Sequence, residues 1–345
     1  MKKTLPANLS QNALREDIQP QQWNFKQLIL AEIKKNGGWV NTHAHADRAF
    51  TVSLDSLDVY RNHSLQEKWD LVDAVKKDAS VDEYYRRFSQ ALEVMIEQEV
   101  KVLGSFVDVD PVCEDRALKG ALKAREHYKD QITVQLINQT LKGVIEPEAR
   151  KWFDVAAEQV DIIGGLPKRD ERDYGKGAEH MDILLEAGKK YDKMVHVHVD
   201  QFNSTEDTET EQLSRKTIDF GMQGRVVAVH GISIGAHPKP YREKLYVLMK
   251  KAEMMVIACP IAWLDCHRTE VLAPTHNAIT PADELVPAGI TVALGTDNIC
   301  DYMVPFCDGD MWQELMLLAV GCRFPEIDEL VKIATINGRK VLGVE

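Results

Sequence analysis

Three short stretches that read as the ends of β-strands carry most of the metal-binding side chains of this chain. They are Asn41-Thr42-His43-Ala44-His45-Ala46-Asp47, Val195-His196-Val197-His198-Val199-Asp200 and Leu294-Gly295-Thr296-Asp297-Asn298. Residues two apart in a strand point to one face, so His43 and His45 project into one space, as do His196, His198 and Asp200. Segments so distant in sequence can bring these groups together only at the mouth of a barrel. Imidazole and carboxylate are the ligands of a hydrolytic metal ion that keeps one position open for water.

The rest of the pattern agrees with a barrel. Runs of the kind found in buried strands occur at 39–44, 102–109, 132–138, 160–166, 194–199, 225–230, 254–258 and 290–295, and amphipathic helical patterns lie between most of them, at 82–97, 114–128, 179–191, 214–220 and 241–253. Alternating apolar strands and helices imply a parallel sheet, and eight units predict an α/β fold closed as a (β/α)8 TIM-type barrel. About 250 residues suffice for such a unit. We therefore expect residues 1–37 to be an amino-terminal helical extension, helical over 23–35 with Phe25, Leu28, Ile29 and Ile33 on its inner side. Residues 38–345 should be the barrel, with 50–82 as an excursion serving as lid or subunit contact.

Each candidate ligand then sits at the carboxyl end of its strand, the end where such barrels build their chemistry. The net charge of −12 argues against nucleic acid or an anionic membrane as partner, since both demand a basic face. A small-molecule substrate is the partner expected, with self-association into a homo-oligomer. No signal-peptide core or membrane-length apolar run is visible, and the six cysteines are scattered without a Cys-x-x-Cys pair. A cytoplasmic location is the expectation.

His43-Ala44-His45 on the first strand, His198 on the fifth, His230 on the sixth and Gly295-Thr296-Asp297-Asn298 on the eighth resemble the amidohydrolase superfamily, in particular its cytosine-deaminase-like branch. Asp47, Gln139, Gly164-Gly165-Leu166-Pro167 and the final segment Thr335 to Gly343 extend the likeness to nearly the whole chain from about residue 38. The resemblance implies that His43, His45, His198 and Asp297 ligate one divalent ion, zinc or iron, with manganese also acceptable to such ligands. It further implies that His230 holds the attacking hydroxide or orients the substrate, and that Gln139 reads a polar edge of the substrate. Asp297, as ligand and carboxylate, can also accept and return a proton.

Departures from the deaminase pattern limit the likeness. Where cytosine deaminases carry a glutamate after the fifth-strand histidine and aspartate, this chain has Gln201, which orients but cannot ionise. Asn298 replaces a second aspartate, and Met303 stands where an aromatic side chain is usual. Asp200 remains for acid–base work beside His230 and Asp297. Arg48 presents a fork for a carboxylate or ring carbonyl, the bland reading being an ion pair with Asp47 or another rim carboxylate. His196 reads as supporting or core. His237, His267 and His276 fall in loops, and His63, His127 and His180 lie in or near helices, where packing or surface roles are the default.

The expected activity is hydrolysis of a carbon–nitrogen bond that removes an amino or alkylamino group from an N-heterocycle other than cytosine. Two other readings stay open. One is an amide or cyclic-amide hydrolase, binuclear if a modified Lys168 bridges two metals; the other, prompted by Gln201, is a barrel that binds without turnover. Most relatives add a small β-sandwich assembled from the chain ends, and no such domain is expected here.

Overall fold

Eight short strands, β1 Trp39–Ala44, β2 Val100–Asp108, β3 Thr133–Gln139, β4 Ile163–Gly165, β5 Val195–Val199, β6 Val226–His230, β7 Met255–Ala258 and β8 Thr291–Leu294, follow one another with helices between them. The computed structural model describes residues 24–262 and 279–344. All pairings are parallel, in a three-stranded sheet β1-β2-β3 and a five-stranded sheet β4-β5-β6-β7-β8. Single parallel bridges, Ile137 with Ile162 and Ala44 with Asp297, join the two sheets at both seams.

Polar side chains reinforce those seams. Asn138 donates to the Gly164 carbonyl and accepts from the Gly164 amide, each at 2.9 Å, tying β3 to β4. Thr42 donates to the Leu294 carbonyl at 2.7 Å, and Asn41 donates to Thr296 Oγ1 at 2.9 Å, tying β1 to the end of β8. Gly295 is required at this second seam, because a Cβ there would lie 2.7 Å from the His43 Cβ. Strands such as Val-His-Val-His-Val and Val-Val-Ala-Val-His are buried along their whole length, as a parallel sheet covered by helices demands.

The helix Val81–Glu97 illustrates the outer layer. A Ser80/Glu83 capping box starts it, and Tyr84, Phe88, Leu92 and Met95 form its buried stripe. The amino-terminal helix is Phe25–Lys35, held inward by Ile29 and Ile33. Phe25 and Leu28 are about half exposed, at 48% and 51%, so the inner stripe is narrower than the sequence pattern predicts. The 50–82 excursion contains helices Leu54–Asn62, Leu65–Leu71 and Asp73–Lys76. It buries Lys68, Trp69, Val72 and Lys76. Among the described residues no helix is long and apolar enough to cross a membrane.

Candidate active site

His43 is the last residue but one of β1 and His45 follows the strand; His198 lies on β5, His230 ends β6, and Asp297 follows β8. His230 (φ 80°) and Asp297 (φ 59°) adopt the left-handed backbone that side-chain-bearing residues rarely take, a strain found at functional sites. These bends bring the strand ends together. Asp297 Oδ1 lies 3.3 Å from His43 Nε2 and 3.0 Å from His45 Nε2, while Oδ2 lies 4.0 Å from His230 Nε2. The His198 ring is centred 5.0 Å from His43, 5.9 Å from His45 and 5.3 Å from His230. All five side chains are buried.

This donor set fits a divalent ion. The ligating atoms of His43, His45 and His198 lie within 4.8 Å of one another, as do those of His43, His230 and Asp297. His198 Nδ1 donates to the Gly165 carbonyl at 3.0 Å, which fixes the tautomer and leaves Nε2 as a buried acceptor without a hydrogen-bond partner among the described residues. Burial, with the charge of Arg48 added, pushes His45 down to about 3 despite Asp297. Burial and the neighbouring histidines push His198 well below the usual range. Both rings are therefore neutral near pH 7 and keep a lone pair to give. Burial opposes ionisation of Asp297, but hydrogen bonds from His43 and His45 outweigh it and hold the carboxyl well below the usual range. The Phe106 ring backs the cluster, 4.8 Å from His43 and 4.6 Å from His198. Such an apolar backing keeps the local dielectric low.

A cavity of about 30 Å³ opens above His45, His198 and Asp297. Arg48, Gln139, Gln201, Asn298 and Met303 line it, so five of the sequence-predicted substrate-facing residues converge there. Leu65 and Trp69 reach it from the 50–82 excursion, and Leu141, Leu166 and Val304 complete an apolar wall. Gln139 Oε1 accepts from the Thr140 amide at 2.8 Å, leaving its amide N–H groups for the cavity. Arg48 is buried and pairs through Nε with Asp301 Oδ2 at 3.1 Å, while Nη1 lies 3.7 Å from Asp108 Oδ1. Asp47 is not its hydrogen-bonded partner: Asp47 Oδ2 accepts the Asp108 amide at 2.8 Å.

Other candidates are drawn elsewhere. Asp200 does not line the cavity; its carboxylate accepts the backbone N–H groups of Glu209 at 2.7 Å and Thr210 at 3.3 Å, at the start of helix Glu209–Asp219. The strand ends at Val199 and Asp200 has φ 51°, so the two-residue alternation that groups it with His198 stops one residue short. His196 lies deeper and donates from Nε2 to the Val341 carbonyl at 2.8 Å, a core role. Lys168 pairs with Asp207 Oδ1 at 2.5 Å and approaches Glu209 at 4.0 Å, and it does not line the cavity over the histidine cluster. His237 donates to the Asp207 carbonyl at 2.7 Å, packing its loop. His180 is fully buried: it holds Asp170 Oδ2 at 2.6 Å and accepts the Leu166 amide at 3.2 Å. His267 and His276 lie outside the described residues.

Sequence reasoning missed two buried residues behind the cavity. Asp301 gathers Arg48, Asn298 and the backbone of Met303 and Val304. Lys76 of the excursion contacts Asp108 and Asp110 at the end of β2. Asp301 bonding to the amide two residues on is an Asx-turn signal, visible locally, but its link to Arg48 spans the whole barrel.

The family model described as the amidohydrolase family matches residues 37–345. An uncharacterized protein of Haemophilus influenzae is 62% identical over 264 residues, covering 76% of this chain and 96% of that protein. The N-isopropylammelide isopropyl amidohydrolase of Pseudomonas sp. (strain ADP) is 26% identical over 318 residues, 89% of this chain and 74% of that enzyme. Among solved structures, 5-methylcytosine deaminase from Klebsiella pneumoniae, liganded with 5-fluorocytosine, matches at a TM-score of 0.81 with 23% identity, covering 88% of this chain and 74% of that one.

Proposed function

The chain belongs to the amidohydrolase family and is a metal-dependent hydrolase of carbon–nitrogen bonds other than peptide bonds; from that premise we propose that it removes an amino or alkylamino group from an N-heterocycle other than cytosine. The observation that carries the reading is the convergence of His43, His45, His198 and Asp297 below a cavity lined by Arg48, Gln139, Gln201 and Asn298. We assign His43, His45, His198 and Asp297 as the ligands of one divalent ion. Such an ion supplies Lewis acidity and lowers the pKa of a bound water from 15.7 to about 7.

The chain's own residues do the rest. Asp297, held ionised by its histidine partners, can take a proton at a carboxylate oxygen and return it to the departing nitrogen. Burial keeps His230 neutral, and its Nε2, 4.0 Å from Asp297 Oδ2, is placed to orient the attacked carbon's substituent. Gln139 offers N–H donors to a ring oxygen or nitrogen. Gln201 can hold a substrate edge without titrating. That loss of an ionisable group, with Asn298 and Met303 beside it, argues against cytosine, whose ring nitrogen needs a proton during the reaction.

The 50–82 excursion supplies the lid in this reading. Leu65 and Trp69 of the excursion line the cavity of about 30 Å³, which has room for a few water molecules, and in this reading they move to admit a heterocycle. The test is release of ammonia or alkylamine from aminopyrimidines, pterins, aminotriazines and amides by protein loaded in turn with zinc, iron(II) and manganese. Turnover of a heterocycle without turnover of cytosine is expected. Turnover of amides alone would overturn the reading.

A further inference from the structure

Asp297 sits on strained backbone, and hydrogen bonds on each side of it hold it there. A side-chain-bearing residue keeps a left-handed φ such as its 59° only when the surroundings over-determine it. The Asp297 amide donates to the His43 carbonyl at 2.9 Å, and the Asp297 carbonyl accepts the His45 amide at 3.2 Å. Those bonds tie it to the histidine pair of the first strand. A further bond comes from outside the cluster: the Cys307 thiol donates to the Thr296 carbonyl at 3.1 Å. The peptide plane that enters Asp297 is thus held at its N–H by His43 and at its C=O by Cys307.

Cys307 has a partner of its own. Glu314, near the start of helix Met311–Gly321, places Oε1 3.5 Å from Cys307 Sγ, and its Oε2 accepts the Ile261 amide at 3.0 Å. Both side chains are fully buried, and neither lines the cavity. No cation pairs with Glu314 among the described residues, and burial pushes its carboxyl well above the usual range, so it is a neutral acid. Burial raises the thiol too, and Cys307 keeps its proton. That single proton goes to the nearer acceptor, the Thr296 carbonyl, so Oε1–H of Glu314 donates to Sγ. Ile261 leads directly into Ala262, which lines the cavity. One buried acid therefore ties the cavity wall after β7 to the carboxylate after β8.

We propose that Cys307 and Glu314 are positioning residues that hold Asp297 in its metal-binding conformation. The inference rests on the proposed assignment of Asp297 as a ligand. Without the thiol, the buried Thr296 carbonyl loses this donor, and the Thr296–Asp297 peptide relaxes towards ordinary backbone, which swings the carboxylate away from His43 and His45. Loss of a supporting partner behind a ligand lowers metal affinity by about 10- to 100-fold.

Four variants separate the hydrogen bonds from packing. Cys307→Val and Glu314→Leu retain apolar bulk and remove the donor, whereas Cys307→Ser and Glu314→Gln retain a donor. Zinc affinity is measured by competition with a chelating indicator, ligand geometry by the visible absorption of the cobalt(II)-loaded protein, and stability by urea unfolding. The Val and Leu variants should bind zinc about 10- to 100-fold more weakly than the wild type and shift the cobalt bands. The Ser and Gln variants should stay within about threefold, with wild-type bands. Either pair decides the question, which covers a variant that does not fold. Lowered stability in the Val and Leu variants with unmoved cobalt bands and unchanged zinc affinity would show a packing role and overturn the proposal. Zinc affinity lost equally in the Ser and Gln variants would overturn it as well. A wild type that binds no zinc would sink the ligand assignment and this inference together, whereas a zinc-binding wild type matched by all four variants would sink the inference alone.

Discussion

Replacing Lys76 by methionine removes one positive charge from the buried cluster that seats the excursion on the barrel rim. Lys76 Nζ lies 3.4 Å from Asp108 Oδ2 and 3.6 Å from Asp73 Oδ1 and is bonded to Asp110 Oδ2, with the side chain only 3% exposed. At 3.4 Å an ion pair in an effective dielectric near 20 is worth about 5 kcal/mol. The loss is capped, however, because Asp110 can take a proton instead. Burial pushes Asp110 up, and Lys76 together with the amides of Val112 and Cys113 more than cancels that push, so the variant removes the largest of the opposing causes. Protonating a carboxyl of ordinary pKa 3.8 at pH 7 costs about 4 kcal/mol, and at pH 5 roughly 1.5 kcal/mol. Urea unfolding of the metal-saturated protein should thus show Lys76→Met destabilised by about 4 kcal/mol at pH 7, within the range for breaking a buried pair, and by less than half of that at pH 5. Adding Asp110→Asn should recover most of the loss. A deficit under about 1 kcal/mol at pH 7, or equal deficits at both pH values, would refute this account of the cluster.

Two further outcomes are expected. Trp69→Ala removes the cavity's roof and a side chain 2% exposed, and should cost about 3–5 kcal/mol while raising KM more than it lowers kcat; an unchanged KM would show that the excursion does not meet the substrate. Burial, with Asp200 and Asp207, pushes the Glu209 carboxyl up to about 8 against the pull of Lys168. Its folded value lies above the unfolded 4.5, so its contribution is full below that value and is lost as pH rises towards 8. Glu209→Gln should flatten the fall in thermal stability across that window, and identical slopes would show that Glu209 is not the titrating group.

The barrel was legible because each strand is short, apolar and bounded by helical periodicity. The structural strands at 195–199 and 226–230 begin one residue inside the runs at 194–199 and 225–230. The metal-type residues were legible because alternation holds through His43 and His198. It fails at Asp200, where the chain leaves the strand and the carboxylate turns to the next helix's amides. Lys76 was not legible, and of Asp301 only the local turn was. Charged residues are usually exposed, and the contacts that bury these two cross 32 and 253 positions, to Asp108 and Arg48. His180 illustrates the same limit: its helix predicts an ordinary surface or packing residue, and only the fold reveals that it joins Asp170 to the amide of Leu166.

The metal content of the wild type and of His198→Ala tests the central claim most directly. Both proteins are purified, loaded with zinc, passed through a desalting step and analysed for metal per chain alongside ammonia release. One ion per wild-type chain, with metal and activity lost together in His198→Ala, is the result expected from a ring whose Nδ1 is committed to Gly165 and whose Nε2 faces the cluster. Full metal stoichiometry in His198→Ala would contradict it.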